Sequence, residues 1–297
     1  MNGILNVYKE KGFTSHDVVA KLRGICHQKK IGHTGTLDPQ AEGVLVVCLG
    51  NATKLCDLLT DKSKVYETVL LLGKTTDTQD AFGTVLSERA VCVPEQEVKD
   101  AIMGFTGIYD QIPPMYSALK VNGKKLYELA RQGIEIERKS RPVEITGIEI
   151  LEMALPHVKM RVACSKGTYI RTLCHDIGER LQTGGIMESL LRTRVGLFTL
   201  EESLRLSEIE EKMKSGILKE SLFKTDCVFM EYEQVHVDER ADKFLYNGNL
   251  FYRDVASYVP KKQEYVRVYD SKNQFAGLYE YDTNRQCFKP YKMFLET

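Results

Sequence analysis

Gly32-His33-Thr34-Gly35-Thr36-Leu37-Asp38-Pro39 is the least ordinary stretch of the chain. Two glycines three residues apart open backbone angles closed to other residues. Pro39 confines the residue before it to extended conformations, so Asp38 is held rather than free. The stretch follows a basic helix end (Lys29, Lys30) and leads into the apolar run Val44 to Leu49. On these residues alone two readings stand side by side. One is a rigid loop that presents a carboxylate; the other is an Asx-type turn in which Asp38 bonds only nearby N–H groups.

Outward from this loop, Thr14-Ser15 before His16 to Ile25 predicts a capped helix, because a hydroxyl there accepts a first-turn N–H. Val44 to Leu49 and Val65 to Leu72 are β-rich runs bounded by glycines. Pro94 to Phe105 opens with a proline and early acids, a good helix start. Val143 to Leu151 and His157 to Ala163 read as strands, and Ile170 to Leu181 as an amphipathic helix. The acidic segment Glu201 to Glu211 predicts a short helix, and residues 212–232 a connection. Beyond Val235 the texture turns to short strands, with Tyr265 to Tyr269 and Phe275 to Tyr281 either side of the turn Asp270 to Asn273. Strands and helices mix without βαβ alternation, so the expected class is α+β around a mainly antiparallel sheet. The expected division is 1–232 and a small β-rich unit, 233–297, too small to be more than marginally stable alone.

Lys and Arg number 41, as do Asp and Glu, so the formal charge is zero. Nucleic-acid partners usually demand a basic surplus, and zero counts weakly against one. The zero is a cancellation, however: residues 1–200 carry +3, 201–240 carry −5 and 241–297 carry +2. Residues 21–30, 111–141 and 158–194 each carry +4. No apolar run approaches the roughly 20 residues of a membrane span, and the N-terminal residues lack a signal pattern, so a cytoplasmic protein is expected. Eight scattered cysteines without a C-x-x-C read as reduced, mostly buried thiols. Cys26-His27 and Cys174-His175 lack the paired spacing of a tetrahedral zinc site, so no metal is expected. Gly73-Lys74-Thr75 would need a glycine where Thr68 stands to make a P-loop.

The loop sequence, continued through Ala41, Gly43, Val44 and Leu45, resembles the catalytic loop of TruB-type tRNA pseudouridine synthases. Further blocks match in order. Lys9 with Gly12, Thr14, Ser15, His16 and Asp17 resembles the first motif, although Glu10 stands where the family commonly has proline. Gly50-x-Ala52-Thr53-Lys54, then Tyr66, then Thr76-Asp77-Thr78-x-Asp80-x-x-Gly83 follow. Gln111-x-Pro113-Pro114-x-Tyr116-Ser117-Ala118-x-Lys120 and Gly123-x-x-x-Tyr127-x-x-Ala130-Arg131 resemble an RNA-gripping insertion at about 111–141. Cys164 to Thr172 and Leu190-x-Arg192-Thr193 complete a match over about residues 4–200. The last segment resembles a PUA-like RNA-binding module more loosely.

The resemblance implies a stand-alone enzyme that isomerises uridine 55 of the tRNA T loop. It would detach uracil from C1′, rotate it and rejoin it through C5. No atoms enter or leave, so neither metal nor redox cofactor is expected; the long 111–141 insertion suits direct RNA gripping, so no guide RNA is expected, and nothing demands more than a monomer. By the resemblance, Asp38 is the catalytic carboxylate at C1′, Arg171 pairs with it, and Tyr66 stacks on the base. Tyr169 and Leu190 line the pocket, and His33 fills the space left by the flipped base. Lys9, Lys120, Lys124, Lys125 and Arg131 join the RNA-binding set. Taken singly, Arg171 reads as a surface helix residue, Tyr66 as core and His33 as a solvated loop histidine. The turn at Asn122-Gly123 suits a hairpin reaching along a stem-loop.

Overall fold

The computed structural model describes residues 1–121 and 123–295. In chain order the first part holds β1 (Gly3–Lys9), α1 (Ser15–Ile25), β2 (Ile31–His33), β3 (Glu42–Leu49), α2 (Cys56–Thr60) and β4 (Lys64–Leu72). It continues with β5 (Lys74–Thr76), β6 (Val85–Glu88), α3 (Glu95–Met103), β7 (Gly107–Gln111), β8 (Lys120–Val121), β9 (Lys124–Lys125) and α4 (Leu126–Ala130). Then come β10 (Arg141–Ala154), β11 (His157–Cys164), α5 (Ile170–Arg180), β12 (Gly185–Val195), β13 (Phe198–Thr199) and α6 (Leu206–Lys214). The last part holds β14 (Glu233–His236), α7 (Glu239–Tyr246), β15 (Phe251–Tyr252), β16 (Tyr265–Tyr269), β17 (Phe275–Asp282) and β18 (Cys287–Met293).

Among the described residues the main sheet runs β1-β3-β12-β4-β11-β10-β7, with β2 on β3 and β13 on β12. The expectation of a mainly antiparallel sheet holds with one exception: β3 and β12 pair in parallel, at Leu191↔Glu42 and Arg192↔Gly43. This seam places β12 mid-sheet, where Arg192 is also opposite Tyr66 of β4. β3 reads as an unbroken apolar run because both its faces are covered. Leu45, Val47 and Leu49 pack with α1 and α6, whereas Val44, Val46 and Cys48 pack on the other face with Phe229, Leu278 and Phe294. α3 and α5 cover the β4–β11–β10 half through Val98, Ile102, Leu173 and Ile177.

Thr14 caps α1 as expected: its side chain accepts from the Asp17 N–H, and Asp17 bonds back to the Thr14 N–H at 2.8 Å. The short helix expected within Glu201 to Glu211 begins at Leu206 and runs to Lys214. The preceding residues instead extend the edge of β1, with Leu204 N–H donating to Asn6 at 3.0 Å and Leu204 accepting from Tyr8 at 2.8 Å. Residues 212–232 include two short 3₁₀ turns, Leu218–Ser221 and Thr225–Phe229. The second sheet, β14-β16-β17-β18-β15, leans on the first. Asn51 Nδ2 donates to Leu295 at 3.1 Å and Lys54 Nζ to Met293 at 2.8 Å. The 120–125 segment forms the short β8/β9 pairing that the hairpin reading anticipates; Asn122 of its turn lies outside the described residues. No helix among the described residues is long and apolar enough to cross a membrane.

Candidate active site

The loop between β2 and β3 is rigid because its backbone is bonded from all sides. Ser15, at the start of α1, accepts from Leu37 N–H at 2.9 Å. Thr60 donates to Thr34 O at 3.1 Å, Arg192 Nη2 to Gly35 O at 3.1 Å, and Gly12 N–H to Pro39 O at 2.9 Å. Lys9, expected to bind substrate, is fully buried beneath the loop. Its ammonium donates to Pro39 at 3.1 Å, Ala41 at 2.6 Å and Glu10 at 3.2 Å. Burial pulls the Lys9 ammonium down to about 8, so its cation is held by carbonyls in a place that disfavours charge. Glu10 turns away to pair with Arg205 at 2.7 Å, an exposed contact of little energetic weight.

Ala41 N–H bonds the main-chain oxygen of Asp38 at 3.1 Å, but the Asp38 carboxylate itself faces Arg171, which decides between the two readings of the loop. Arg171 Nε lies 2.9 Å from Oδ2 and Nη2 lies 3.3 Å from Oδ1. The ion pair is side-on, with one hydrogen bond from Nη2 and the closest charge contact at Nε. Arg171 is 4% exposed, so the alternative reading of it as a surface helix residue does not hold. The Asp38 side chain, at 38%, stays open. Burying a guanidinium is costly unless its other donors are satisfied. Here Nη2 donates to Tyr116 O at 2.8 Å and Nη1 to Thr78 O at 3.1 Å, with Asp80 Oδ2 3.9 Å from Nη1. Three separate segments, at Asp38, at Thr78 to Asp80 and at Tyr116, therefore meet on Arg171.

Tyr66 is buried at the start of β4, and burial pushes its hydroxyl above the usual range, with the nearby Arg192 cation working against the shift. It packs in the same cluster as Leu37. Tyr169 is the residue before α5 and half-buried; the Gln111 side-chain amide grips its backbone on both sides, accepting from Tyr169 N–H at 2.8 Å and donating to Tyr169 O at 3.1 Å. His33 is half-buried, and burial pulls its imidazole down to about 4. Its Nδ1 accepts from Gly35 N–H at 3.3 Å, and the exposed His16 ring meets it edge-on at 5.4 Å.

A cavity of about 270 Å³ opens beside Asp38, with Leu190, Thr68, Asp80, Phe82 and Lys11 in its wall. Lys120, Lys124, Lys125 and Arg131 lie outside this wall, on β8, β9 and the end of α4. Lys125 Nζ and the Arg131 guanidinium each sit 5.4 Å from the Tyr127 ring centre. Asp80, Gln111 and Arg192 belong to the site's framework, although each stood in the sequence only as a member of a motif. For Gln111 the nearby Pro113-Pro114 pair was the available signal; nothing local marks Arg192.

Relatives place this arrangement. One model, described as TruB family pseudouridylate synthase (N terminal domain), matches residues 23–170. A second, tRNA pseudouridylate synthase B C-terminal domain, matches residues 171–228. The tRNA pseudouridine synthase B of Lachnoclostridium phytofermentans is 58% identical over 99% of this chain and 100% of its own. The chain belongs to the TruB family of pseudouridine synthases. It is therefore an isomerase. The Clostridium perfringens (strain 13) tRNA pseudouridine synthase B is 44% identical, with both chains covered in full. Among solved structures, a Cbf5-Nop10-Gar1 complex contains a chain with a TM-score of 0.73 and 26% identity, covering 99% of this chain and 85% of that one. The two TruB models meet at 170/171, just inside α5 and between strands of one sheet, so this division is not a boundary of the fold.

Proposed function

We propose that the chain converts uridine 55 in the T loop of tRNA to pseudouridine, acting as a stand-alone cytoplasmic enzyme without a guide RNA. The pairing of a buried Arg171 with a half-open Asp38 at the wall of the cavity carries this reading. Asp38 acts on C1′ of the flipped nucleotide, as nucleophile or as partner to positive character at that carbon. Arg171 keeps the carboxylate aimed and charge-balanced while water leaves the site. The C1′–N1 bond breaks, C1′–C5 forms, the C5 proton departs and N1 gains a proton, so no atom is gained or lost. Tyr66 provides the ring for the uracil to stack on, and Tyr169 and Leu190 close the pocket around it. His33, uncharged at neutral pH by burial, fills the gap in the RNA stack with an uncharged plane.

Residues 111–141 grip the stem through Lys120, Lys124, Lys125 and Arg131, and Lys9 acts beneath the catalytic loop rather than on the RNA. Residues 233–297 serve as a PUA-like second RNA contact behind a catalytic unit at 1–232. Similarity of the named relatives to this chain from end to end supports tRNA as the substrate. Tritium release from a T-arm RNA labelled at uridine C5 tests the chemistry. The wild type is expected to release tritium from position 55, and Asp38→Asn to bind the same RNA within a few-fold while releasing none. Full release by Asp38→Asn overturns the role given to Asp38.

A further inference from the structure

At the mouth of the cavity Phe82 is 55% exposed. A single exposed aromatic is ordinary on a protein surface, but this one is fixed in place and stands in the same wall as Asp38 and Leu190. The loop that carries it is shut at its base, where Thr84 N–H donates to the Asp77 carboxylate at 2.7 Å and Asp77 N–H to Thr84 O at 3.2 Å. It is pinned to β12 by Ala81 N–H on Met187 O at 3.0 Å and Met187 N–H on Gln79 O at 3.1 Å. Phe82 N–H itself bonds the Asp80 carboxylate at 3.0 Å. From across the cleft Lys11 places its ammonium 5.2 Å from the ring centre. Lys11 sits in the turn after β1, which Gly12 ties to Pro39 of the catalytic loop.

We propose that Phe82 and Lys11 form a subsite for the nucleotide adjoining the flipped uridine, with the base stacked on the ring and its phosphate at the ammonium. The proposal rests on the reading of the T arm as substrate. A base lifted next to a flipped neighbour loses its own stacking partner, and an aromatic face restores it whatever the base. The Lys11 cation over the ring is already a favourable contact, and it supplies the counter-charge that a phosphate needs at the same spot. Phe82 is the exposed large aromatic in the cavity wall, and its exposure leaves the core untouched when it is replaced.

The test uses the full chain with unmodified T-arm RNA, measuring Kd and pseudouridine formation together. Phe82→Ala is expected to weaken binding about ten-fold, within the range of losing one base–aromatic stack, and Phe82→Trp to bind like the wild type. Replacing one neighbour of the target with an abasic nucleotide is expected to weaken wild-type binding and to leave Phe82→Ala no worse off. Binding by Phe82→Ala within two-fold of wild type overturns the subsite, as does a ten-fold deficit that persists on both abasic RNAs. Product formed by the wild type with Phe82→Ala unaffected refutes the subsite alone. A wild type that neither binds nor modifies the RNA overturns both readings.

Discussion

Arg171 and Asp38 differ in exposure: the arginine is buried where three segments meet and the carboxylate is open to whatever enters the cleft. A lysine at 171 would keep a charge but lose the planar fork, so at most one of the carboxylate oxygens and neither carbonyl contact would be held in register. Arg171→Lys is expected to lower kcat about a hundred-fold, the scale of an ångström's misplacement of a reacting group, with RNA binding changed only a few-fold. Single-turnover kinetics with saturating enzyme separates the two. His33 makes a second prediction, through pH. Its imidazole stays neutral in the folded chain down to about 4, against an ordinary value of 6.5. Between those values the unfolded chain takes up a proton that the folded chain refuses, so stability is lost as pH falls from 6.5 toward 4. Calorimetric Tm for His33→Gln is expected to fall less steeply than wild type across that window; an identical slope would show that other groups set it. Asp38 stood out in the sequence because Pro39 and two glycines surround it. Arg171 did not, since nothing local distinguishes a helix-start arginine that faces inward from one that faces water.

The elements that build the site are held together by backbone contacts that periodicity does not encode. Apolar alternation and capping signals announced α1, α3, β10, β11 and α5 to within a few residues, because local physics decides them. The parallel seam between β3 and β12 joins residues about 150 positions apart, and no spacing in the sequence announces it. It depends on Gly43, whose φ of +103° is closed to most side chains and where a Cβ would stand 2.2 Å from Arg192 O. The start of α6 at Leu206 has the same origin: Leu204 serves the edge of β1 before the helix begins. Gln111 fixes Tyr169 from β7, a distance of 58 residues. Gln111→Leu leaves a buried N–H and C=O unpaired, at about 1–3 kcal/mol each. It is expected to lower Tm by several degrees and to depress kcat by moving Tyr169 and, two residues on, Arg171. Unchanged kcat with lowered Tm would limit Gln111 to a structural part.

For the whole molecule, the formal charge of zero hides the feature that matters for an RNA partner. The basic stretches sit in the first 200 residues, and the acidic compensation lies between the two sheets, in 201–240. Lys120, Lys124 and Arg131 are exposed and outside the wall of the Asp38 cleft, and the proposed reading gives them association rather than chemistry. Replacing all three with alanine is expected to make the plot of log affinity against log salt shallower by about 2 to 3, with single-turnover rate at saturation unchanged. An unaltered slope would place the phosphate contacts elsewhere. The most direct test of the account is to incubate the purified chain alone with an unmodified tRNA transcript and map carbodiimide-reactive nucleotides by primer extension. The account predicts one new stop, reporting pseudouridine at position 55, absent with Asp38→Asn. No stop at 55, a stop elsewhere, or the same stop with Asp38→Asn would contradict it.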